Sequence, residues 1–217
     1  MNKIGIIVSG GSIEKACALN LLESKNAEVI IAVDRGLEFL YEEKIDPTHI
    51  VGDFDSIDQN VILYYKRETS IPIREFNPVK DASDTEIAIR MAIELGVKEL
   101  WILGGTGTRL DHVMANIQTL KIAQEADVKA YIVDGHNKIS LLSGKTVLSQ
   151  KEAYGKYFSL FPLGGKVEGL TIQGAKYPLK NHTLEPHDSL CVSNQYANEQ
   201  VTIEFERGTI VFMETRD

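Results

Sequence analysis

Five short apolar runs in the first 134 positions each stop at a serine, a glycine or an aspartate. Ile4–Val8 runs into Ser9-Gly10-Gly11-Ser12, Val29–Val33 into Asp34, and residues 50–52 into Asp53. Residues 100–103 run into Gly104-Gly105, and residues 130–133 into Asp134. Helical stretches separate them. The clearest is 85–95, where Ile87, Ala88, Met91, Ala92 and Leu95 form one stripe. Strands that are apolar on both faces and alternate with helices specify a parallel sheet covered on both sides.

After Asp134 the rhythm changes. Residues 138–142, Tyr157–Pro162, 169–173, 189–193, 200–205 and 209–214 read as short strands. Turn signals separate them, among them Ser143-Gly144, Leu163-Gly164-Gly165, Lys180-Asn181 and Arg207-Gly208. The alternation of Val201, Ile203 and Phe205 gives one buried face, and no long helical stripe appears. The expected fold is therefore an N-terminal α/β domain with a parallel, Rossmann-like sheet over residues 1–134. An antiparallel β-sandwich over 138–217 follows it.

Composition narrows the class. With 217 residues, 43% hydrophobic and 25% charged, the chain can bury a core and is neither fibrous nor disordered. No apolar stretch approaches the roughly 20 residues of a membrane span. The opening MNKIGIIVSGG reads as a buried strand rather than a signal peptide, so a cytoplasmic protein without a membrane partner is expected. A net charge of −8 disfavours nucleic acid as a partner. Cys17 and Cys191 have no metal-binding or redox spacing and read as reduced, buried thiols.

In open α/β sheets ligands bind beyond the carboxyl ends of the strands, and here those ends are rich in aspartate. Asp34 lies in Val33-Asp34-Arg35-Gly36, and Asp53 and Asp55 in Gly52-Asp53-Phe54-Asp55-Ser56. Asp81 and Asp84 lie in Lys80-Asp81-Ala82-Ser83-Asp84-Thr85-Glu86, and Asp111 follows the glycine-rich turn 104–109. Ser56 and Ser83 also read as helix N-caps, with Ser83-x-x-Glu86 fitting a capping box. In extended chain Asp53 and Asp55 project to one side while Phe54 turns away. Two such carboxylates about 4 Å apart repel by roughly 4 kcal/mol at an effective dielectric near 20. A divalent cation between them relieves this, and Mg²⁺ favours one or two carboxylates completed by water and phosphate oxygens. The turn 104–108 offers backbone N–H groups to an anion at a helix N-terminus. Arg109 can grip phosphate as a fork, and Lys80 can neutralise it as a point charge. The turn lacks the Gly-Lys-Ser/Thr ending of a Walker A loop and is not the dinucleotide fingerprint.

In this order and spacing, Asp34-Arg35-Gly36, Gly52-Asp53-Phe54-Asp55-Ser56, Lys80-Asp81-x-x-Asp84-Thr85 and Gly104-Gly105-x-Gly107-x-Arg109-x-Asp111-His112 resemble the thiamine pyrophosphokinase family. The resemblance runs over nearly the whole chain. It implies an α/β nucleotide-binding domain joined to a β-sandwich, and a homodimer with active sites between subunits. The implied reaction moves the β,γ-diphosphate of ATP to the hydroxyl of thiamine, giving thiamine diphosphate and AMP. By the same resemblance Asp53, Asp55 and Asp81 hold Mg²⁺. Asp55, Asp81 and Arg109 serve catalysis. Asp34, Lys80, Asp84, Thr85, Gly104, Gly105, Gly107, Thr108, Arg109, Asp111 and His112 line the nucleotide and phosphate site, and Tyr177, Ser193 and Asn194 meet thiamine.

Thr108 stands where the family has a second glycine, a substitution that strains the loop if that position needs positive φ. The general base is open between Asp81 and Asp55, with His112 either a base or a structural hydrogen-bonder. The residues also leave open a pyrophosphokinase of another heterocyclic alcohol and a non-catalytic thiamine or nucleotide sensor.

Overall fold

The computed structural model describes residues 2–76 and 82–217, which fall into two compact units, Met1–Gly135 and His136–Asp217. In the first unit the elements run β1 (Ile4–Val8), α1 (Lys15–Lys25), β2 (Val29–Val33), α2 (Gly36–Glu42), β3 (His49–Gly52) and α3 (Gln59–Glu68). They continue as β4 (Ile73–Glu75), α4 (Asp84–Glu94), β5 (Glu99–Leu103), α5 (Leu110–Glu125) and β6 (Lys129–Val133). The strands are parallel in the order β6-β5-β1-β2-β3-β4. Ile6, Ile7, Val8, Ile31 and Ile102 are essentially inaccessible, as strands apolar on both faces require.

The chain leaves β1 toward β2 and later returns to β5 on the other side of β1. That reversal opens a crevice between the loops after β1 and β5, where open α/β sheets bind ligands.

Helix starts follow local chemistry. Glu14 accepts from the N–H groups of Ala16 and Cys17 at the head of α1. Ser83 Oγ caps α4 by accepting from Glu86 N–H at 3.2 Å. Only half of the expected capping box forms, because the Glu86 carboxylate takes both Arg90 contacts at 3.0 and 2.8 Å. Asp58, not Ser56, caps α3 through Asn60 N–H at 2.8 Å.

In the second unit β7 (Asn137–Leu142), β8 (Thr146–Ser149), β9 (Tyr157–Pro162), β10 (Val167–Gln173) and β11 (Leu179–Leu184) follow. β12 (Asn194–Gln195), β13 (Gln200–Glu204) and β14 (Ile210–Thr215) complete it. Within this unit β14 lies between β7 and β9, with β12 on the far side of β9. The second sheet runs β11-β10-β13-β8. All these pairings are antiparallel. Phe158, Leu160, Ile210 and Phe212 of one sheet share a core with Leu170, Ile172, Val201 and Ile203 of the other, so the unit is a β-sandwich. Residues 189–193, expected as a strand, form a turn instead. Ser193 there has φ of 59°, which ends an extended run before β12 begins. Cys191 is buried, while Cys17 is only half-buried.

Candidate active site

A cleft of about 690 Å³ lies at the carboxyl ends of the first unit's strands. Its wall is built from the loop 9–13 after β1, Asp34 and Arg35 after β2, and Glu38, Phe39 and Glu42 of α2. Ser56, the head of α4 (Ser83, Asp84, Thr85), the loop 104–109, and His112 and Asn116 of α5 close it.

Asp34 and Asp84 line this cleft, and Asp53 stands beside it, near enough to act on Asp34. Asp34 sits in the left-handed region at φ 44°, which Asp tolerates, and its N–H donates to Val51 O at 3.2 Å. The side chain then packs against Gly52, where any Cβ would overlap Asp34 Oδ1. Burial pushes the Asp34 carboxyl up from 3.8 to about 7, and the neighbouring Asp84 and Asp53 push the same way, offset in part by the Phe54 N–H. Asp34 Oδ1 is buried without a hydrogen-bond partner among the described residues. Asp84 opens α4, and beside it Thr85 Oγ1 meets Ser9 Oγ at 3.1 Å in a buried contact.

The stretch 53–55 differs from expectation. Phe54 has φ of 57° and is 4% exposed, so the chain turns there and Asp53 and Asp55 do not share one side of an extended strand. The turn carries the phenyl ring into the core, where its apolar surface leaves water. Asp55, exposed, donates its N–H to Asp53 Oδ1 at 3.2 Å. Lys80 and Asp81 lie outside the described residues. Among the described residues no group of three or more His, Cys, Asp or Glu side chains is arranged to hold a metal ion.

The loop 104–109 is braced from several directions. Gly104 O accepts from Gly11 N–H at 3.0 Å and Thr106 O from Ser12 N–H at 2.8 Å. Gly105 O accepts from Asn116 Nδ2 at 2.8 Å, and Thr106 Oγ1 donates to Asp134 Oδ2 at 2.7 Å. Gly104 carries φ of 64°, whereas Thr108 is absent from the positive-φ residues. The loop therefore accepts Thr108 without strain. Arg109 grips Asp111 in a fork, at 2.6 and 3.2 Å, and the pairing holds the exposed Asp111 carboxyl down at about 2. Asp111 thus reaches the cleft through Arg109. His112 lines the wall and its own N–H donates to Asp111 Oδ1 at 3.0 Å.

In the second unit the expected thiamine residues are neighbours. Asn194, 3% exposed, accepts through Oδ1 from Tyr177 N–H at 3.0 Å and from Gln195 N–H at 2.9 Å. Its Nδ2 donates to Tyr177 O at 2.8 Å. The amide is spent on clamping the Tyr177 backbone, and the ring of Tyr177 stands 55% exposed with Lys176 Nζ 5.3 Å from its centre. Ser193 N–H donates to Ser159 Oγ at 3.0 Å, leaving the exposed Ser193 hydroxyl at the surface.

The family model described as "Thiamin pyrophosphokinase, catalytic domain" matches residues 21–132, and "Thiamin pyrophosphokinase, vitamin B1 binding domain" matches residues 145–210. The chain belongs to the thiamin pyrophosphokinase family.

A curated relative, thiamine pyrophosphokinase of Bacillus subtilis (strain 168), is 30% identical over 187 residues, covering 86% of this chain and 87% of the relative. The crystal structure of thiamine pyrophosphokinase from Bacillus subtilis superposes with a TM-score of 0.86 at 28% identity, over 99% of this chain and 100% of that one. That from Geobacillus thermodenitrificans gives 0.84 at 29%, over 99% and 98%. The chain is accordingly an enzyme, a thiamine diphosphokinase, and the family's chemistry is formation of thiamine diphosphate by pyrophosphate transfer.

Of the residues expected in this site, Asp34, Asp84, Thr85, Gly104, Gly105, Gly107, Thr108, Arg109 and His112 line one cleft. Asp53 stands beside it, close enough to act on Asp34. Sequence reasoning missed Ser9, Gly11, Asn116, Glu38 and Phe39. Ser9-Gly10-Gly11-Ser12 carried a legible signal, a glycine pair straight after the first strand. Asn116 carried a fainter one, a polar residue among Ile117, Leu120 and Ala123 on the buried face of α5.

Proposed function

We propose that the enzyme transfers the β,γ-diphosphate of ATP to the hydroxyl of thiamine, releasing AMP, as a magnesium-dependent cytoplasmic homodimer. The observation that carries this reading is the meeting of Asp34, Asp53 and Asp84 beside the braced loop 104–109. Carboxylates placed so that one is driven to hold a proton near neutrality form a site that wants a cation. Hard oxygen donors next to an anion-binding loop, with Asp34 Oδ1 left unpartnered, fit Mg²⁺ bound to a polyphosphate. Asp53 and Asp55 would hold it, with Asp81 from outside the described residues. When bound, the ion supplies neutralisation of the charge on the phosphate oxygens.

The chain's own residues do the rest, which for this class of transfer is positioning and charge compensation. The N–H groups of 105–107 hold phosphate oxygens. Arg109 turns from Asp111 to the phosphates, a small cost because an exposed ion pair is screened by water. The hydroxyl proton passes to Asp55 or Asp81. On the second unit Tyr177 offers its ring face to the cationic heterocycle of thiamine. Asn194 keeps that ring in place, and Ser193 offers its hydroxyl.

Incubation with ATP and thiamine, with and without EDTA, tests the reading by its nucleotide product. AMP is expected, in step with thiamine diphosphate, and EDTA is expected to stop both; ADP as the product would reject diphosphate transfer. For Asn194→Ala, loss of the clamp leaves two N–H groups and a carbonyl without their partner. A thermal denaturation scan should show a loss of about 1–3 kcal/mol, and the thiamine KM should rise while that for ATP holds. An unchanged thiamine KM would remove Tyr177 from the site.

A further inference from the structure

Three successive carbonyl groups of the β5–α5 loop are turned toward protein donors. Gly104 O meets Gly11 N–H, Gly105 O meets the Asn116 amide, and Thr106 O meets Ser12 N–H. In a trans peptide the C=O of one residue and the N–H of the next point in opposite directions, and no cis peptide occurs among the described residues. Holding these three carbonyls therefore aims the N–H groups of Gly105, Thr106 and Gly107 away from the donors. Among the described residues these N–H groups have no protein acceptor. All three residues line the cleft. Successive free N–H groups in a glycine-rich turn form a concave anion site.

The loop's middle residue is also fixed through its side chain. Thr106 Oγ1 donates to Asp134 Oδ2 at 2.7 Å, tying the loop to the end of the neighbouring strand β6. Asn116, 8% exposed, comes from α5.

We infer that Thr106, Asp134 and Asn116 are positioning residues for the transferred phosphates: they hold the peptide planes of 104–107 so that three N–H groups face the polyphosphate. The inference rests on the proposed polyphosphate substrate. Its effect is on orientation, and a misplacement of about 1 Å in such a site costs on the order of a hundredfold in rate.

The test compares Thr106→Val, which keeps the side-chain shape and deletes the donor, with Thr106→Ser, which restores it. Readouts are steady-state kinetics, thermal melting, and calorimetric binding of inorganic tripolyphosphate to the full chain. Thr106→Val is expected to melt near the wild type. Its kcat/KM for ATP and its tripolyphosphate affinity should fall together by about tenfold or more, on the scale of lost outer-shell support, with the thiamine KM unchanged. Thr106→Ser should recover most of both. Wild-type binding and turnover in Thr106→Val, or a serine variant no better than the valine one, would overturn the inference. So would a wild-type protein that does not bind tripolyphosphate. A wild-type protein that binds tripolyphosphate through Thr106 and yet makes no thiamine diphosphate would overturn the functional reading and leave this one standing.

Discussion

Asp34→Asn is expected to cut turnover by about two to three orders of magnitude while making the unliganded protein more resistant to heat above pH 7. The wild-type carboxyl titrates at about 7 in the folded chain against 3.8 in a free one, chiefly because it is buried and secondarily because Asp84 and Asp53 stand near. A folded-state value above the unfolded one means that the folded protein binds this proton more tightly. Stability then falls as pH rises from about 3.8 to about 7, and the penalty is complete above that. Asparagine is uncharged, keeps the shape, and tolerates the left-handed backbone at φ 44°.

The gap in melting temperature between variant and wild type should therefore be near zero below pH 4 and full above pH 7. After allowance for solvent screening the gain is about 1–2 kcal/mol, or roughly 2–8 °C for a chain of this size. Activity should fall by about 10²–10³-fold, the scale of losing one preorganised electrostatic group. The decisive measurement is the pair of melting curves across pH 4–8 without nucleotide or metal. A variant less stable than wild type at pH 8 would mean that Asp34 is held as a satisfied carboxylate, and the acid cluster would lose its meaning.

Gly11→Ala is expected to damage fold and activity together. A Cβ at this position would overlap the carbonyl oxygens of both Gly104 and Thr106, atoms of a backbone with nowhere to go. The β1–α1 and β5–α5 loops would have to separate, breaking the bonds from Gly11 and Ser12 that brace the cleft. Forcing atoms into a filled space costs about 1–3 kcal/mol, and displacing the loop by about 1 Å costs on the order of a hundredfold in kcat. Gly165→Ala serves as the control, because a Cβ there meets nothing and the backbone is ordinary. It should melt within about 1 kcal/mol of wild type. Should Gly11→Ala melt and turn over like Gly165→Ala, the two loops are not in contact and the cleft is wrongly drawn.

Much of this was legible in the chain itself, for reasons that differ from residue to residue. Ile4–Val8 and Val29–Val33 are strands as read, because a parallel strand buried on both faces writes itself as an unbroken apolar run. Val201 and Ile203 alternate as a sandwich strand must. Acidic residues at strand ends pointed to a cleft without any knowledge of contacts, since the sheet places those ends together.

The turn at Phe54 was not legible. Its φ of 57° goes with a buried ring, and burial is a property of the assembled core. The segment 189–193 misled because Leu190, Cys191 and Val192 look like a strand, although only Cys191 enters the core. The partners of Asn116 and Asn194 were equally hidden, because an amide's hydrogen bonds depend on neighbours that the chain brings near only when folded.

The amino-acid order alone determined the two layered architectures and the kinds of group at the strand ends, because periodicity and local propensity act over a few residues. Only the tertiary structure decided which carboxylate keeps its proton, which carbonyls are turned inward, and which tyrosine is clamped. Those are matters of burial, and burial is set by contacts such as Ser9 with Thr85, 76 positions apart in the chain.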